Sequence, residues 1–169
     1  MECLRFVALS TDLCFMRILL VCLGNICRSP MAEGVLRHLA KEKGIDVQID
    51  SAGTNRYHTG EPPDDRAQAA MRRYDLDISD LRARTIEPHD FYSYDLLLVM
   101  DKSNLREVRA LAPIEELKPK VKLLMDYAAD HELREVPDPY YGGDDGFDQV
   151  YHMLVEACNA LLEDVRSQQ

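Results

Sequence analysis

The sequence predicts an α/β fold: a single-domain, three-layer structure whose four-stranded parallel sheet, in the order 2-1-3-4, carries helices on both faces. Short apolar runs alternate with stretches of helical periodicity, and this alternation is typical of parallel sheets because each helix returns the chain across the sheet. The length of 169 residues suits one domain with a substantial core. We expect the first strand to lie centrally, because the loop that follows it needs neighbours on both sides.

The first two elements are predicted by different periodicities. Residues 17–22 form an apolar run rich in branched residues, which is typical of a buried strand. In residues 30–43, Met31, Val35 and Leu39 recur at intervals of four, so they lie on one face of a helix. The glycine that follows favours an end to this helix.

The remaining elements continue the alternation. In order, the patterns predict a strand at 47–50, a helix at about 64–75, a short helix within 87–92, a strand at 95–100, a helix from 101 to about 111, a strand at 121–125 and a final helix at about 147–166. The intervening residues 126–146 form a long loop, and loops of this length are usually functional.

The overall composition argues against several partners and compartments. A formal net charge of −10 argues against nucleic acid or an anionic membrane surface as the main partner. Five cysteines without the spacing of a disulfide framework indicate a reducing compartment, so we expect a cytoplasmic protein. No apolar stretch approaches the roughly 20 residues that a membrane span needs.

Residues 1–15 are interpreted as an N-terminal extension of unknown role, ahead of a domain at residues 16–169. The segment lacks the basic start and the small-residue cleavage site of a signal peptide. Met16 would itself make a suitable first residue, because it leads straight into the first strand. A genuine extension and residues from an upstream start codon both remain open.

The loop at residues 22–30 joins the first strand to the first helix and reads Cys-Leu-Gly-Asn-Ile-Cys-Arg-Ser-Pro. Successive backbone N–H groups at such a turn, together with the N-terminus of the helix, attract anions. Gly24 and Asn25 are residue types that tolerate a left-handed backbone. Arg28 supplies a planar group that matches two oxygens of a phosphate. The loop is therefore a candidate phosphate site.

Cys22 lies at the end of the first strand and faces the same centre. An electrostatic field that binds phosphate also stabilises a thiolate, so one loop could hold a phosphate and direct a nucleophile at it. A buried structural cysteine beside a structural arginine is the alternative interpretation. Ser29 could cap the following helix, and Pro30 suits its first turn.

A second motif, Pro-Asp-Pro-Tyr-Tyr-Gly-Gly, occupies residues 137–143 of the long loop. A thiolate that attacks a phosphate monoester needs a proton donor for the leaving oxygen, and a carboxylic acid on a loop suits that role. Asp138 lies between two prolines that restrict its backbone. The alternative is an ordinary surface turn, because Asp-Pro is also turn chemistry.

On these two motifs the chain resembles the low-molecular-weight protein tyrosine phosphatases over residues 16–166. Their signature loop reads as residues 22–30 do, and their general acid lies in a matching Asp-Pro-Tyr-Tyr motif. The resemblance implies a hydrolase that removes phosphate from protein phosphotyrosine through a phosphocysteine intermediate, with Asp138 as general acid and then base. The implied partner is a phosphotyrosine-containing protein, and neither a cofactor nor a metal is implied.

The resemblance also assigns roles to individual residues. The catalytic residues would be Cys22, Arg28 and Asp138. The substrate-binding residues would be Leu23, Gly24, Asn25, Ile26, Cys27, Ser29, Tyr57, Tyr140 and Tyr141. A supporting network would join Asn25, Ser29 and Ser51, with Ser29 donating to the Cys22 thiolate.

Some of these assignments have simpler alternatives. Cys27 could trap oxidised Cys22 as a disulfide, or it could be a small buried filler. Tyr57 and the pair Tyr140 and Tyr141 could wall a deep slot for an aryl phosphate, or they could be ordinary surface tyrosines. A weak homodimer through the tyrosine pair is also left open.

The chain departs from the family pattern within residues 79–84. Leu81 stands where the family often carries a histidine, so the polar support of Asn25 is expected to be weakened. Asp101 could border the site, but a helix cap is the simpler interpretation. The five histidines show no metal-binding spacing.

Three other functions compete with phosphotyrosine hydrolysis. Arsenate reductases with a similar loop relay oxidation through two further cysteines in the middle of the chain, and no cysteine lies between Cys27 and Cys158. Protein-arginine phosphatases tend to carry threonine in place of Ile26, and their acid motif lacks paired aromatic residues. A phosphopeptide-binding module would have no use for Cys22 or Asp138. The sequence therefore favours a tyrosine phosphatase.

Overall fold

The computed structural model describes residues 15–169. The proposed N-terminal extension, with Cys3 and Cys14, lies outside the described residues except for Phe15. In the described part of the chain, no helix is long and apolar enough to cross a membrane.

Within residues 15–169, four strands form one parallel sheet in the order β2-β1-β3-β4, which confirms the predicted order. The strands are β1 (Met16–Cys22), β2 (Val47–Gly53), β3 (Leu96–Val99) and β4 (Val121–Leu123). On one side, β1 pairs with β2 from its first residue to Cys22, which lies opposite Gly53. On the other side it pairs with β3. The loop after β1 therefore has a strand on either side.

Helices cover both faces of this sheet. They are α1 (Arg28–Lys43), α2 (Asp65–Arg72), α3 (Asp90–Ser93), α4 (Lys102–Ala110) and α5 (Asp144–Ser167), with short 3₁₀ helices at Glu115–Lys120, Leu124–Asp126 and Pro139–Tyr141. Ile18 and Leu20 of β1 join the core formed with α1, α2 and α5. Leu19 and Val21 point the other way, into the core formed with α3 and α4.

Some element boundaries differ from the prediction. β2 continues three residues beyond the predicted strand, to Gly53, because Ser51–Gly53 keep the pairing with β1. β4 ends at Leu123, and the next three residues form a 3₁₀ helix instead of continuing the strand. α5 begins at Asp144, where two aspartates in its first turn favour a helix N-terminus.

Helix α1 passes very close to the segment that follows α2. A Cβ on Gly34 would lie 2.6 Å from Cγ2 of Ile78 and 3.0 Å from Cε of Met71. Glycine inside a helix costs about 1 kcal/mol relative to alanine, so this close approach explains its place there. The contact carries residues 78–84 alongside the start of α1, next to the loop that follows β1.

Candidate active site

The phosphate loop, defined here as residues 22–28, lies at the carboxyl end of the central strand β1. Asn25 adopts the left-handed conformation, with φ of 56°. Gly24 does not, and its lack of a side chain serves another purpose: a Cβ there would lie 3.2 Å from Cδ2 of His58. The expectation of a left-handed backbone therefore applies to Asn25 alone.

The Cys22 thiol is buried at the base of this loop. Its Sγ accepts a hydrogen bond from the backbone N–H of Asn25 at 3.3 Å and lies 3.0 Å from Oγ of Ser29. Both groups hold the sulfur at the base of the loop. The arrangement suits a nucleophile.

Ser29 is not the cap of α1. The N-cap position belongs to Cys27, which makes no side-chain cap bond, and Ser29 is the second residue of the helix. Its hydroxyl turns inward, where it accepts a hydrogen bond from Nδ2 of Asn25 at 2.8 Å. The hydroxyl proton can be donated to Sγ of Cys22 at 3.0 Å or to the carbonyl of Ala52 at 3.4 Å. The cap interpretation was wrong because the helix begins earlier than predicted.

Asn25 is held by a buried polar network. Its Nδ2 donates to Oγ of Ser29 at 2.8 Å and to Oγ of Ser51 at 2.9 Å. Its Oδ1 accepts from the backbone N–H of Arg84 at 3.0 Å. The polar support of Asn25 is therefore present despite Leu81, because the backbone N–H of Arg84 donates to Oδ1 of Asn25.

Glu33 extends this network, and the sequence analysis missed it. Its buried carboxylate accepts from Oγ of Ser51 at 2.5 Å and pairs with Arg37 one helical turn away. Burial raises the pKa of Glu33. A single charge in the otherwise apolar stretch from Met31 to Leu36 was the available signal.

Arg28 is buried, with 3% of its side chain exposed, and its guanidinium faces two carboxylates. Nη1 donates to Oδ2 of Asp101 at 2.6 Å and to the carbonyl of Val136 at 3.1 Å. Nη2 donates to Oδ2 of Asp138 at 3.4 Å. Asp101 also caps α4 by accepting from the N–H of Asn104 at 2.7 Å. The two interpretations of Asp101, as a cap and as a neighbour of the site, are therefore both correct.

The acid loop, defined here as residues 137–143, forms the opposite wall. Asp138 precedes the 3₁₀ helix Pro139–Tyr141, and its Oδ1 accepts from the N–H of Tyr140 at 3.1 Å. The rings of Tyr140 and Tyr141 pack edge to face, with centroids 5.0 Å apart. The carboxyl group of Asp138 and the rings of Tyr140 and Tyr141 therefore border the same opening.

The two loops, together with residues 55–58 of the loop after β2, border a cavity of about 220 Å³. It is lined by Cys22, Leu23, Gly24, Ile26, Cys27, Arg28, Asn55, Tyr57, His58, Asp138, Tyr140 and Tyr141. Of the predicted site residues, Asn25, Ser29 and Ser51 lie behind this surface. Asn55 and His58 line it without having been predicted, and their signal was their place beside Tyr57 in the loop after β2.

Cys27 lines the same cavity as Cys22, and it is buried. Burial raises the pKa of the Cys27 thiol, and the nearby Asp64 and Cys22 raise it further. The three cysteines that the structure describes, Cys22, Cys27 and Cys158, are all free. In the described residues no group of three or more histidine, cysteine, aspartate or glutamate side chains could hold a metal ion.

Comparison with known proteins decides the family. The family model for low molecular weight phosphotyrosine protein phosphatase matches residues 17–169. The chain belongs to this family. The phosphatase is 44% identical over 149 residues to a putative low molecular weight protein-tyrosine-phosphatase of Synechocystis, across 87% of this chain and 94% of that protein. It is also 44% identical over 149 residues to the human low molecular weight phosphotyrosine protein phosphatase, across 86% and 93% of the two chains.

Solved structures of similar proteins share the fold of the phosphatase. The crystal structure of YfkJ from Bacillus subtilis superposes with a TM-score of 0.86 at 36% identity, covering 92% of this chain and 97% of that one. A protein tyrosine phosphatase from Entamoeba histolytica gives a TM-score of 0.87 at 35% identity, covering 90% and 98%.

Proposed function

We propose that this phosphatase hydrolyses protein phosphotyrosine through a phosphocysteine intermediate, with Cys22 as nucleophile and Asp138 as general acid and base. The observation that carries the proposal is the convergence of Cys22, Arg28 and Asp138 on one cavity rimmed by tyrosines. The chemistry of both half-reactions follows from that placement.

In the first step the Cys22 thiolate attacks phosphorus and the bond from phosphorus to the tyrosine oxygen breaks. Asp138 transfers its proton to that oxygen, so tyrosine leaves as the neutral phenol and Asp138 becomes a carboxylate. Arg28 and the N–H groups at the start of α1 hold the other phosphate oxygens as their charge grows. Ser29 and the backbone N–H of Asn25 hold the sulfur in place.

In the second step water attacks the phosphocysteine. The Asp138 carboxylate takes a proton from that water, the oxygen bonds to phosphorus, and the phosphorus–sulfur bond breaks. The Cys22 thiolate and the protonated Asp138 are thereby restored, and inorganic phosphate leaves. The same side chains act in both steps, with their proton transfers reversed.

The aromatic rim supports phosphotyrosine as the substrate. Tyr57 is 85% exposed and Tyr141 90% exposed, so both can accept an aromatic ring above the phosphate. The related Wzb of Vibrio vulnificus, 29% identical, was solved in complex with benzylphosphonate, which also joins a ring to a phosphoryl group. A phosphoserine side chain is too short to reach the base of such a slot.

The competing activities have less support. An arsenate-reducing relay needs further accessible cysteines, and after Cys27 the described chain offers only Cys158, which is fully buried in α5. Phosphoarginine hydrolysis is disfavoured by Ile26 and by the paired tyrosines, both of which line the cavity. The binding-module alternative leaves Cys22 and Asp138 without a role.

We also propose a cytoplasmic location and a phosphotyrosine-containing protein as the partner, with nucleic acid disfavoured by the net charge of −10. A redox role for Cys27 and a weak homodimer through the exposed Tyr140 and Tyr141 stay predictions.

The experiment compares hydrolysis of phosphotyrosine, phosphoserine and phosphoarginine peptides by the full chain in the presence of a chelator. We expect turnover of phosphotyrosine alone, loss of turnover by a factor of about 10⁴ or more in Cys22→Ser with phosphate binding retained, and loss of both in Arg28→Ala. Asp138→Asn should lower kcat by roughly 10²–10⁴, and least for substrates with good leaving groups.

Two matched variants control this experiment. Cys158→Ala removes a buried cysteine outside the cavity, and Asp130→Asn neutralises an exposed aspartate in the same connection as Asp138. Both should keep wild-type turnover. Preference for phosphoarginine would contradict the substrate assignment, and equal losses in Asp138→Asn on good and poor leaving groups would contradict the role of Asp138.

A further inference from the structure

Arg66, in the first turn of α2, joins the N-cap residue of its helix to the acid loop. On one side its Nε donates to Oδ1 of Asp64 at 3.0 Å and its Nη2 donates to Oδ2 at 2.9 Å. On the other side Nη1 donates to the carbonyl oxygen of Tyr140, in the acid loop, at 3.0 Å. All three guanidinium nitrogens are therefore engaged, and the planar group cannot turn without losing a bond.

The Asp64 side of this connection is fixed to the phosphate loop. The backbone N–H of Asp64 donates to the carbonyl of Ile26 at 2.8 Å. The Asp64 side chain also caps α2 by accepting from the N–H of Arg66 at 2.8 Å. Hydrogen bonding from Arg66 lowers the pKa of Asp64, so the carboxylate stays charged at lower pH than an ordinary aspartate would. Arg66 is thus anchored at a point that moves with the loop that would bind phosphate.

The Tyr140 side leads to Asp138. Only Pro139, whose φ is restricted, separates the two residues, and the N–H of Tyr140 bonds to the Asp138 carboxylate at 3.1 Å. The Tyr140 ring lies with its centroid 5.1 Å from Cζ of Arg66, and the buried ring of Phe147 lies 5.2 Å from the same atom. The carbonyl, the amide and the ring of Tyr140 are therefore all placed by Arg66 or by Asp138.

We propose that Arg66 is a positioning residue that fixes the distance from the Asp138 carboxyl to the leaving oxygen by holding Tyr140 at a set place relative to the phosphate loop. The proposal rests on the role of Asp138 as general acid. Arg66 does not line the cavity, so it acts on proton transfer and not on phosphate binding. Its removal should therefore mimic a weaker acid: it should slow the first step only for those substrates whose leaving oxygen needs a proton.

The test compares Arg66→Met and Arg66→Lys with wild type on two substrates. Phenyl phosphate has a poor leaving group, and dinitrophenyl phosphate has a good one. We expect kcat/KM, which reports the first step alone, to fall about tenfold for phenyl phosphate in both variants, because small displacements of a catalytic group cost up to about 100-fold. For dinitrophenyl phosphate kcat/KM should change by less than about twofold, since that leaving group needs little protonation. The inhibition constant of inorganic phosphate should stay unchanged.

Three controls separate positioning from a general loss of structure. Arg73→Met is matched, because Arg73 also joins the α2 region to α5, through Asp148 at 2.7 Å, without a bond to the acid loop. It should have wild-type kinetics on both substrates. Thermal unfolding of every variant identifies those that are not folded, and Arg66→Met in the Asp138→Asn background should cause no further loss, because the acid it positions is already absent.

The outcomes distinguish this proposal from the one on which it rests. A leaving-group-dependent loss in Asp138→Asn with no such loss in Arg66→Met overturns the positioning role alone. The absence of that loss in Asp138→Asn overturns both proposals. Equal losses on the two substrates, a raised inhibition constant for phosphate, or full activity in Arg66→Lys would each show that the planar contacts of Arg66 do not act through Asp138.

Discussion

The two walls of the cavity are built in opposite ways. Cys22 and Asn25 of the phosphate loop, and Ser29 just after it, are 3%, 2% and 0% exposed, and their polar groups bond to one another inside the core. On the acid loop, a third of the Asp138 side chain and nearly all of Tyr141 are open to solvent. The wall that would bind phosphate is thus part of the packing, while the wall that would supply the proton lies on the surface.

This difference predicts how variants in each wall should behave. Changes in the phosphate loop should lower the stability of the fold and the activity together, because the same hydrogen bonds serve both. Changes in the acid loop should alter kinetics while the free energy of unfolding stays nearly constant.

The largest effect is expected for Asn25→Ala. It removes three buried hydrogen-bond contacts and places alanine at a φ of 56°, so we expect a loss of about 3 kcal/mol in the free energy of unfolding. The turnover number should fall by about 10- to 100-fold as the loop loosens. Urea unfolding and steady-state kinetics measure both quantities.

Asn25→Gly is the matched control for that variant, because glycine accepts the left-handed backbone but makes none of the side-chain bonds. Its stability should lie between those of wild type and Asn25→Ala. A kinetic loss in either variant without a loss of stability would remove the distinction between the two walls.

An intermediate effect is expected for Tyr141→Ala, on the exposed wall. The KM for a phosphotyrosine peptide should rise about threefold to tenfold, since an aromatic contact contributes about 0.5–1.5 kcal/mol. The free energy of unfolding should change by less than about 0.5 kcal/mol. Tyr92→Ala, on α3 and outside the cavity, is the control and should leave KM unchanged. A loss in the free energy of unfolding as large as that of Asn25→Ala would show that this wall is not confined to the surface.

The smallest effect concerns the pH dependence that Glu33 gives to the buried wall. Burial raises the pKa of Glu33, so the folded state holds its proton to higher pH than the unfolded state does. Its contribution to stability is present below the unfolded pKa and is lost as pH rises through the folded one. Relative to Glu33→Gln, wild type should therefore become less stable as pH rises from about 4 to 7. Urea unfolding of both proteins across that range tests this prediction. A stability of wild type that rises with pH relative to Glu33→Gln would contradict it.

The fold and the phosphate loop could be predicted because their signals are local. Alternating apolar runs specify the strands, and the composition of residues 22–30 specifies a turn for an anion. Two contacts between distant parts of the chain were not predicted. Asp101 lies 73 residues from its partner Arg28, and Arg66 lies 74 residues from Tyr140, so no spacing within a motif connects either pair.

The wrong interpretations have equally specific causes. Ser29 is a residue type that usually marks a helix cap, yet here it is buried and accepts a hydrogen bond from Asn25. Leu81 suggested a gap in the network, which a backbone N–H from Arg84 fills. A side-chain pattern does not reveal where a backbone amide will point.

The close approach at Gly34 gives this helix position an influence that its chemistry does not suggest. Gly34 bears no functional group, yet the space it leaves open lets residues 78–84 lie against α1 and brings the N–H of Arg84 to Asn25. A single methyl group at that position would push on Ile78 and, through it, on the hydrogen bond from Arg84 that orients Asn25 in the phosphate loop. In a mutational scan, substitutions of Gly34 would then lower activity as substitutions of catalytic residues do. The role of Gly34 is only to leave space for Ile78.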